Sequence, residues 1–158
     1  MTNDIKTDLI VIGSGPGGYT AAFRAADLGL SVILIEKFPT LGGVCLNVGC
    51  IPSKTLLHAA KVIQETEHLK TAGIEFGLPK INLDQLRGWK SKVVSQLTNG
   101  LSTLAKKRKI KIIQGSAYFS GSHQVRVKCA DGDITIAFDQ AIIATGSAAK
   151  TLPDLPND

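Results

Sequence analysis

Two cysteines separated by four residues, Cys45 and Cys50, have the type and spacing that redox chemistry requires. In a regular α-helix their Cα atoms would lie roughly 8.6 Å apart, from a rise of about 1.5 Å and a turn of about 100° per residue. A disulfide requires roughly 4.4–6.8 Å. Gly49 and Pro52 allow the chain to leave a loop and enter a helix near Pro52, because proline is favoured at the first helical position. The pattern therefore predicts Cys50 beside a helix N-terminus with Lys54 about one turn on, and both features stabilise a thiolate.

Three interpretations of this cysteine pair compete: a metal site, an inert structural pair and a redox-active dithiol. His58 and His68 lie on the following predicted helix at the wrong spacing to complete a zinc site, so no metal is predicted. A close pair in a cytosolic chain is more often catalytic than structural, which favours the redox interpretation. Cys45, predicted further out in the loop, is then the better candidate to meet another thiol or disulfide. Cys129 is interpreted as a small buried hydrophobic residue.

A glycine-rich turn near the start of the chain fits the G-x-G-x-x-G pattern of dinucleotide-binding folds. It follows an apolar strand and opens a helix. Gly13 permits the tight turn, Gly15 lets the backbone approach a pyrophosphate and Gly18 allows close helix packing, while the helix N-terminus attracts phosphates. Glu36 closes the next strand, where it can accept hydrogen bonds from ribose hydroxyls and would repel a 2′-phosphate. The pattern alone leaves NAD and FAD open, and a glycine turn without a ligand is the alternative.

The elements that must position these residues form an α/β, Rossmann-like pattern. A strand, helix and strand make a βαβ unit of about 30 residues, which predicts a parallel sheet. Two long apolar-periodic segments predict a helical hairpin, and the last third predicts a small antiparallel β-meander followed by a separate buried strand. The predicted strands are 8–12, 31–36, 110–114, 117–119, 124–129, 133–138 and 141–144, and the predicted helices are 18–28, 52–69 and 83–109.

Composition is that of a one-domain soluble globular protein, with 158 residues of which 44% are hydrophobic and 20% charged. The net charge of +5 includes a cluster at 106–109, which is interpreted as a solvated helix end that complements the helix dipole. Aromatic residues make up only 5%, which argues against nucleic-acid binding. No early apolar run approaches the roughly 20 residues of a membrane span, and residues 1–8 resemble neither a secretory signal nor a transit peptide. A cytoplasmic location is expected.

The segment 42–54, GGVCLNVGCIPSK, closely resembles the active-site signature of the pyridine nucleotide–disulfide oxidoreductases. The resemblance covers essentially the whole chain, including the glycine pattern and a second flavin-contact motif at 144–147. Leu46, Ile51 and Ser53 are similar to the dihydrolipoamide dehydrogenase branch, whereas glutathione and mercuric reductases more often have Val at the first two of these positions. Val44 replaces a commoner Thr, a variant that occurs within bacterial members of that branch.

The resemblance implies a Rossmann-like FAD-binding domain in which Cys45 is the interchange thiol and Cys50 the thiolate facing the flavin. It implies oxidation of dihydrolipoamide to lipoamide with reduction of NAD, through the Cys45–Cys50 disulfide. A mercuric- or glutathione-type disulfide reductase and a stand-alone flavin-binding module are the alternatives. The implied FAD contacts are Gly13, Gly15, Gly18, Glu36, Lys37, Gly43, Val44, Lys54, Gly115, Ala117, Thr145, Gly146 and Ser147.

The same resemblance implies how the chain is divided. Residues 1–150 would form the FAD-binding domain, and 151–158 a linker toward an NAD-binding domain that the sequence does not contain. The resemblance also implies a C-terminal dimerisation domain, expected to be missing here, that supplies a catalytic His–Glu pair across the dimer interface. The parent enzyme is therefore expected to be a homodimer. Its implied partners are the dihydrolipoyl groups of 2-oxo acid dehydrogenase complexes, with no nucleic acid or membrane. The 158-residue chain is expected not to turn over lipoamide with NAD by itself.

Overall fold

A computed structural model describes residues 5–148 and 150 of the chain. The predicted linker 151–158 and the first four residues lie outside the described residues. The helices are α1 (Pro16–Asp27), α2 (Gly43–Asn47), α3 (Cys50–His68) and α4 (Leu83–Lys107), with a 3₁₀ turn at Leu69–Ala72. The strands are β1 (Ile5–Ile12), β2 (Val32–Glu36), β3 (Lys111–Gln114), β4 (Ser116–Gly121), β5 (Gln124–Cys129) and β6 (Gly132–Ile143).

The strands form one six-stranded sheet in the order β3-β2-β1-β6-β5-β4. Strands β3, β2, β1 and β6 run parallel, and β6, β5 and β4 pair antiparallel. The α/β fold class with a parallel sheet and an antiparallel meander is therefore confirmed. Because the carboxyl ends of β1, β2 and β6 meet at one edge, the segments that follow these strands are brought together there.

The prediction of two separate strands at 133–138 and 141–144 was wrong, because β6 is a single strand of 12 residues. Asp139 and Gln140 interrupt the apolar pattern, yet the backbone of β6 stays paired with β1 past them, with Leu9 opposite Gln140. The polar side chains remain exposed, and Asp139 lies 3.9 Å from the Lys6 ammonium. The same strand thus joins the meander to the parallel sheet.

The core lies on the two faces of this sheet. On one face, Leu9 and Val11 pack with Ala22 and Ala25 of α1 and with Ala105 of α4. On the other face, side chains from the parallel strands pack with those of the meander. These residues are Ile10, Ile33, Ile35, Ile113, Val125, Val127, Ile136 and Phe138. Alternating residues of β1 therefore reach both faces, which fixes the strand at the centre of the fold.

The predicted helical hairpin is formed by α3 and α4, which contact each other. Helix α3 begins at Cys50, two residues before the predicted start, and α4 ends two residues earlier than predicted because Lys109 adopts a φ of 57°. Arg108 closes that end with an ion pair to Asp27 at 2.9 Å. None of the described helices combines the length and apolar character that a membrane crossing requires.

Candidate functional site

Two of the three predicted fingerprint glycines lie where any larger residue would clash. A Cβ on Gly13 would lie 2.3 Å from the carbonyl oxygen of Ala144, and the φ of Gly13 is +98°. A Cβ on Gly18 would lie 1.8 Å from the carbonyl oxygen of Gly13. Both glycines thus let α1 pack directly against the ends of β1 and β6, as the turn and packing roles in the fingerprint require.

Gly15 differs from these two glycines because it faces open space. Apart from Gly15 and its two neighbours in the chain, no described residue has an atom within 4 Å of the Cβ that an alanine would place there. Gly15 is the N-cap of α1, and no side chain of the described part of the chain caps it. The first N–H groups of a helix have no partner within the helix, so this end presents free donors and the positive end of the helix dipole to an anion.

Glu36 lies at the end of β2 with its side chain buried against the glycine loop. Its Oε2 accepts hydrogen bonds from the Ser14 backbone N–H at 2.9 Å and from the Ser14 hydroxyl at 2.6 Å. Its Oε1 accepts one from the Phe38 N–H at 3.0 Å. An ionised carboxylate offers about four acceptor positions, so one remains on Oε1 for a ligand hydroxyl. Glu36 therefore braces the loop as well as offering an acceptor.

The predicted strand-end contacts also lie at this edge of the sheet. Thr145 follows β6, and its Cα would lie 3.1 Å from a Cβ on Gly13. Gly146 has a φ of +71°, and Ser147 follows it in an exposed position. The structure thus brings Thr145, the residue before Gly146 and Ser147, beside the glycine loop.

Gly115 lies between β3 and β4 and contacts Glu36, whereas Ala117 lies within β4, paired with Val127 and packed against the core. The Gly115 N–H donates to the Glu36 carbonyl at 2.9 Å, and a Cβ on Gly115 would lie 2.5 Å from the Lys128 carbonyl oxygen. Lys37 follows Glu36 and holds its ammonium 4.7 Å from the centre of the Phe38 ring. Gly115 and Lys37 thus both lie next to Glu36 at the end of β2.

The cysteine pair lies at the junction of two helices. Cys45 is in α2, and Cys50 is the first residue of α3. The expectation that Cys45 lies in a loop was therefore wrong. Between the helices the chain turns at Val48 and Gly49, whose N–H groups both donate to the Val44 carbonyl, at 2.9 and 2.7 Å. Because of this break, the Cα atoms of Cys45 and Cys50 are not held at the distance that one continuous helix would impose. The break also places Cys50 at a helix N-terminus, as predicted.

The two cysteines are free thiols whose side chains interact. A hydrogen bond shared with Cys50 raises the pKa of the Cys45 thiol, and burial and the Cys50 charge add to that rise, while the Lys54 ammonium opposes it. The contact with Cys50 thus opposes ionisation of the Cys45 thiol. Lys54 lies on the first turns of α3, so its charge acts on the pair from the predicted position.

The redox segment contacts the glycine loop directly. The Gly42 N–H donates to the Ser14 carbonyl at 2.9 Å, and a Cβ on Gly43 would lie 2.7 Å from the Gly15 Cα. Gly43 therefore allows α2 to pack against the loop at closest approach. Val44 follows it with 62% of its surface exposed, toward solvent rather than the core.

A largely apolar groove of about 270 Å³ runs beside α3, between it and α4. It begins at Ile51, the residue after Cys50, and is also lined by Lys54, Thr55, His58, Trp89, Val93 and Leu97. His58 is thus part of this groove. Within residues 5–148 and 150, no three His, Cys, Asp or Glu side chains are grouped as a metal site.

Sequence reasoning missed two side chains that hold the site together. The Ser14 hydroxyl fixes Glu36, and a hydroxyl residue inside the glycine pattern was the available signal. Asn47 donates to the carbonyls of Leu41 and Gly43, and its place between the two cysteines was the signal there.

Comparison with known proteins gives a consistent result. The family model described as "Pyridine nucleotide-disulphide oxidoreductase" matches residues 7–158. Proteins named dihydrolipoyl dehydrogenase are 51% identical in Vibrio cholerae, over all of this chain and 33% of the relative, and 52% identical in Haemophilus influenzae, again over all of this chain and 33% of the relative. The chain thus spans about a third of the length of these curated relatives.

A solved structure also resembles the fold. The Cu(II) complex of the HOCl-induced flavoprotein disulfide reductase RclA from Escherichia coli superposes with a TM-score of 0.78 at 31% identity. The match covers 94% of this chain and 30% of that one.

Proposed function

The chain belongs to the pyridine nucleotide-disulphide oxidoreductase family, and on this basis we propose that it is the FAD-binding part of a dihydrolipoyl dehydrogenase. The proposed reaction is oxidation of dihydrolipoamide to lipoamide with reduction of NAD. The observation that carries the proposal is the contact of Gly42 and Gly43, just before Cys45, with the glycine loop at Ser14 and Gly15. It joins a thiol pair to a dinucleotide-binding turn.

The residues of the site fit FAD. The open backbone at Gly15, at an uncapped helix N-terminus, suits the pyrophosphate, and the remaining acceptor on Glu36 suits a ribose hydroxyl. The exposed Val44 and Ile143 offer apolar surface near the same edge for an aromatic ring system. When bound, FAD supplies a two-electron acceptor that can pass a hydride to NAD.

The proposed thiol chemistry takes Cys45 as the sulfur that meets the substrate because the family resemblance implies it, although Cys45 is the less exposed of the two cysteines in this chain. In the oxidised pair, a dihydrolipoyl thiolate attacks the Cys45 sulfur, which forms a mixed disulfide and releases Cys50 as a thiolate. The second dihydrolipoyl thiolate then attacks the lipoyl sulfur of the mixed disulfide, closing lipoamide and releasing Cys45. Two electrons have then moved from substrate to the pair. The helix N-terminus at Cys50 and the Lys54 ammonium stabilise the negative charge that remains.

The same proposal extends to the roles of the remaining contacts and to the whole protein. Lys37, Gly43, Gly115, Ala117, Thr145, Gly146 and Ser147 are proposed to contact FAD. We propose that residues 1–150 form the FAD domain, that 151–158 lead to an NAD-binding domain, and that the enzyme is a cytoplasmic homodimer serving 2-oxo acid dehydrogenase complexes. The support is the identity of about 50% to dihydrolipoyl dehydrogenases of which this chain covers 33%.

A visible spectrum of the chain reconstituted with FAD tests the proposal. After anaerobic reduction with dithiothreitol, the wild type should gain a long-wavelength band from a thiolate beside the flavin. The Cys45→Ala variant should show this band and the Cys50→Ala variant should lack it. A chain that binds no FAD, or a band that depends on Cys45 instead, would contradict the proposal. Robust NADH formation from dihydrolipoamide by this chain alone would contradict the proposed division of the enzyme.

A further inference from the structure

Helix α2, which carries Cys45, is too short to hold its own conformation. It has five residues, and its N-cap Gly42 adopts a left-handed φ of 106° without a side-chain cap in the described part of the chain. Isolated helices below about 12–15 residues are marginal in water, because nucleation costs more than a few hydrogen bonds return. The position of Cys45 must therefore depend on contacts from outside the helix.

Asn47, the last residue of α2, supplies part of these contacts: its side chain hydrogen-bonds two residues before the helix and also the first residue of the helix. Its Nδ2 donates to the Leu41 carbonyl at 3.1 Å and to the Gly43 carbonyl at 2.9 Å. Its Oδ1 accepts from the Thr40 hydroxyl at 3.0 Å. Leu41 is 4% exposed and belongs to the sheet core. Asn47 therefore ties the end of α2, and with it the turn into α3, to a fixed point of the fold.

We propose that Asn47 is a positioning residue for the redox pair, holding Cys45 where it closes onto Cys50. This inference rests on the proposed function, since it assumes that the two thiols form a disulfide. Asn47 lies two residues after Cys45 and three before Cys50, within the loop that the disulfide closes. It touches neither sulfur in the hydrogen bonds of the described residues, so it acts through the backbone.

The expected effect follows from conformational entropy. The disulfide fixes the segment between the cysteines by a covalent bond, whereas the reduced form is ordered only by weaker contacts. If Asn47 no longer orders the reduced segment, the reduced form gains conformational freedom that the oxidised form cannot share. Closure of the disulfide then costs more entropy, and the equilibrium moves toward the dithiol.

The experiment measures the equilibrium between the Cys45–Cys50 disulfide and reduced dithiothreitol, which yields the protein dithiol and cyclic oxidised dithiothreitol. Samples are quenched by alkylation, and the pair is scored by peptide mass spectrometry, which also separates it from Cys129. Asn47→Ala should favour the dithiol three- to tenfold relative to wild type, a rise of about 15–30 mV in reduction potential. Asn47→Asp keeps the size but loses both donors, and should shift the equilibrium in the same direction.

Asn82→Ala is the matched control. Asn82 caps α4 by accepting from the Gln85 N–H at 3.0 Å, so its loss weakens a helix without removing a hydrogen bond of Asn47 or of the turn between the cysteines. It should lower the melting temperature and leave the dithiothreitol equilibrium within twofold of wild type. Thr40→Ala removes only the outermost hydrogen bond and should give a smaller shift toward the dithiol, which keeps the test decisive if Asn47→Ala fails to fold.

The outcomes separate the two proposals. A wild-type chain that forms no Cys45–Cys50 disulfide under oxidising conditions would overturn the proposed function. A wild-type disulfide whose equilibrium is unchanged in the Asn47 and Thr40 variants, or moves toward the disulfide, would overturn the role of Asn47 alone. An equal shift in Asn82→Ala would overturn it as well, because the effect would then follow general stability.

Discussion

The sheet of this chain buries its large apolar side chains, whereas the helical hairpin buries few of its residues. In the sheet, Ile10, Leu34 and Ile136 have 0% of their surface exposed. Among the described residues of α3 only Thr55 is buried, and in α4 only Thr98 and Ala105. The glycine loop thus rests on a completed core, whereas the helices that follow Cys50 keep apolar side chains in solvent. Contiguous exposed apolar surface is typical of interaction sites, so the two regions should respond differently to substitution.

The largest difference is expected at the glycine loop. In Gly18→Ala, the new Cβ would lie 1.8 Å from the Gly13 carbonyl oxygen, and α1 would have to leave β1. The cost should exceed the roughly 3 kcal/mol that ordinary overpacking reaches, which urea unfolding of the purified chain measures. Gly17→Ala is the control, because beyond the adjacent backbone of α1 no atom of the described residues lies within 4 Å of its Cβ. Equal stabilities of the two variants would contradict the packing argument.

The second-largest difference is expected when a large side chain is truncated: the loss of stability should be large in the sheet and small in the helical hairpin. Ile136→Ala opens a cavity at a position that is 0% exposed, and should cost about 2–5 kcal/mol. Leu57→Ala, at a hairpin position that is 65% exposed, should change stability by no more than about 0.5 kcal/mol. Urea unfolding measures both variants. A large loss in Leu57→Ala would show that the hairpin surface is covered in solution, for instance by another copy of the chain.

A smaller change of opposite sign is expected within the hairpin. Gly88 lies inside α4, and beyond the adjacent backbone of that helix a Cβ there meets no atom of the described residues within 4 Å. Gly88→Ala should therefore stabilise the helix by about 1 kcal/mol through helix propensity. Amide hydrogen exchange along α4 should slow while exchange in β1 stays unchanged if the two regions open separately. Equal slowing in both would indicate that they unfold as one unit.

The same contrast explains which features the sequence predicts. The βαβ unit and the glycine turn are local patterns, because the residues that define them are neighbours in the chain. The fusion of two predicted strands into β6 is not local, since Gln140 stays in the strand only because Leu9 pairs with it. A polar side chain in an apolar sequence pattern predicts the end of a strand. The sequence pattern does not show whether a neighbouring strand still pairs with the backbone at that position.

The site shows the same limit. The spacing of Cys45 and Cys50 predicts that they cannot share one regular helix, and the structure confirms the break between them. That Cys45 lies in a helix of its own depends on Gly42 contacting Ser14, 28 positions earlier in the chain, and on Asn47 contacting Leu41. Likewise Glu36 is braced by Ser14 across a separation of 22 residues. Such contacts become visible only once the sheet has brought the segments together.

The smallest expected effect is a change in the pKa of one thiol. It is measured at Cys45, at the start of the helical region, with Cys129 in the sheet as the comparison. The hydrogen bond to Cys50 is the largest cause of the raised pKa of Cys45. At Cys129 the pKa is also raised, but there burial is the largest cause, followed by the charges of Asp133 and Asp131. In Cys50→Ala the hydrogen bond that raises the pKa of Cys45 is lost, while the Lys54 charge that lowers it remains, so the pKa of Cys45 should fall. More of Cys45 is then thiolate at any given pH, and since the thiolate is the nucleophile, alkylation should speed up.

Iodoacetamide labelling of the reduced chain across the alkaline range, followed by peptide mass spectrometry, measures both thiols in one sample. The midpoint of the Cys45 rate profile should move to lower pH in Cys50→Ala, while the Cys129 profile, an internal control in β5, should stay where it is in the wild type. A joint shift of both profiles would mean that the variant has loosened the fold. An unchanged Cys45 midpoint would mean that burial, and not the contact with Cys50, raises the pKa of Cys45. The main cause would then be the same at Cys45 as at Cys129 in the sheet.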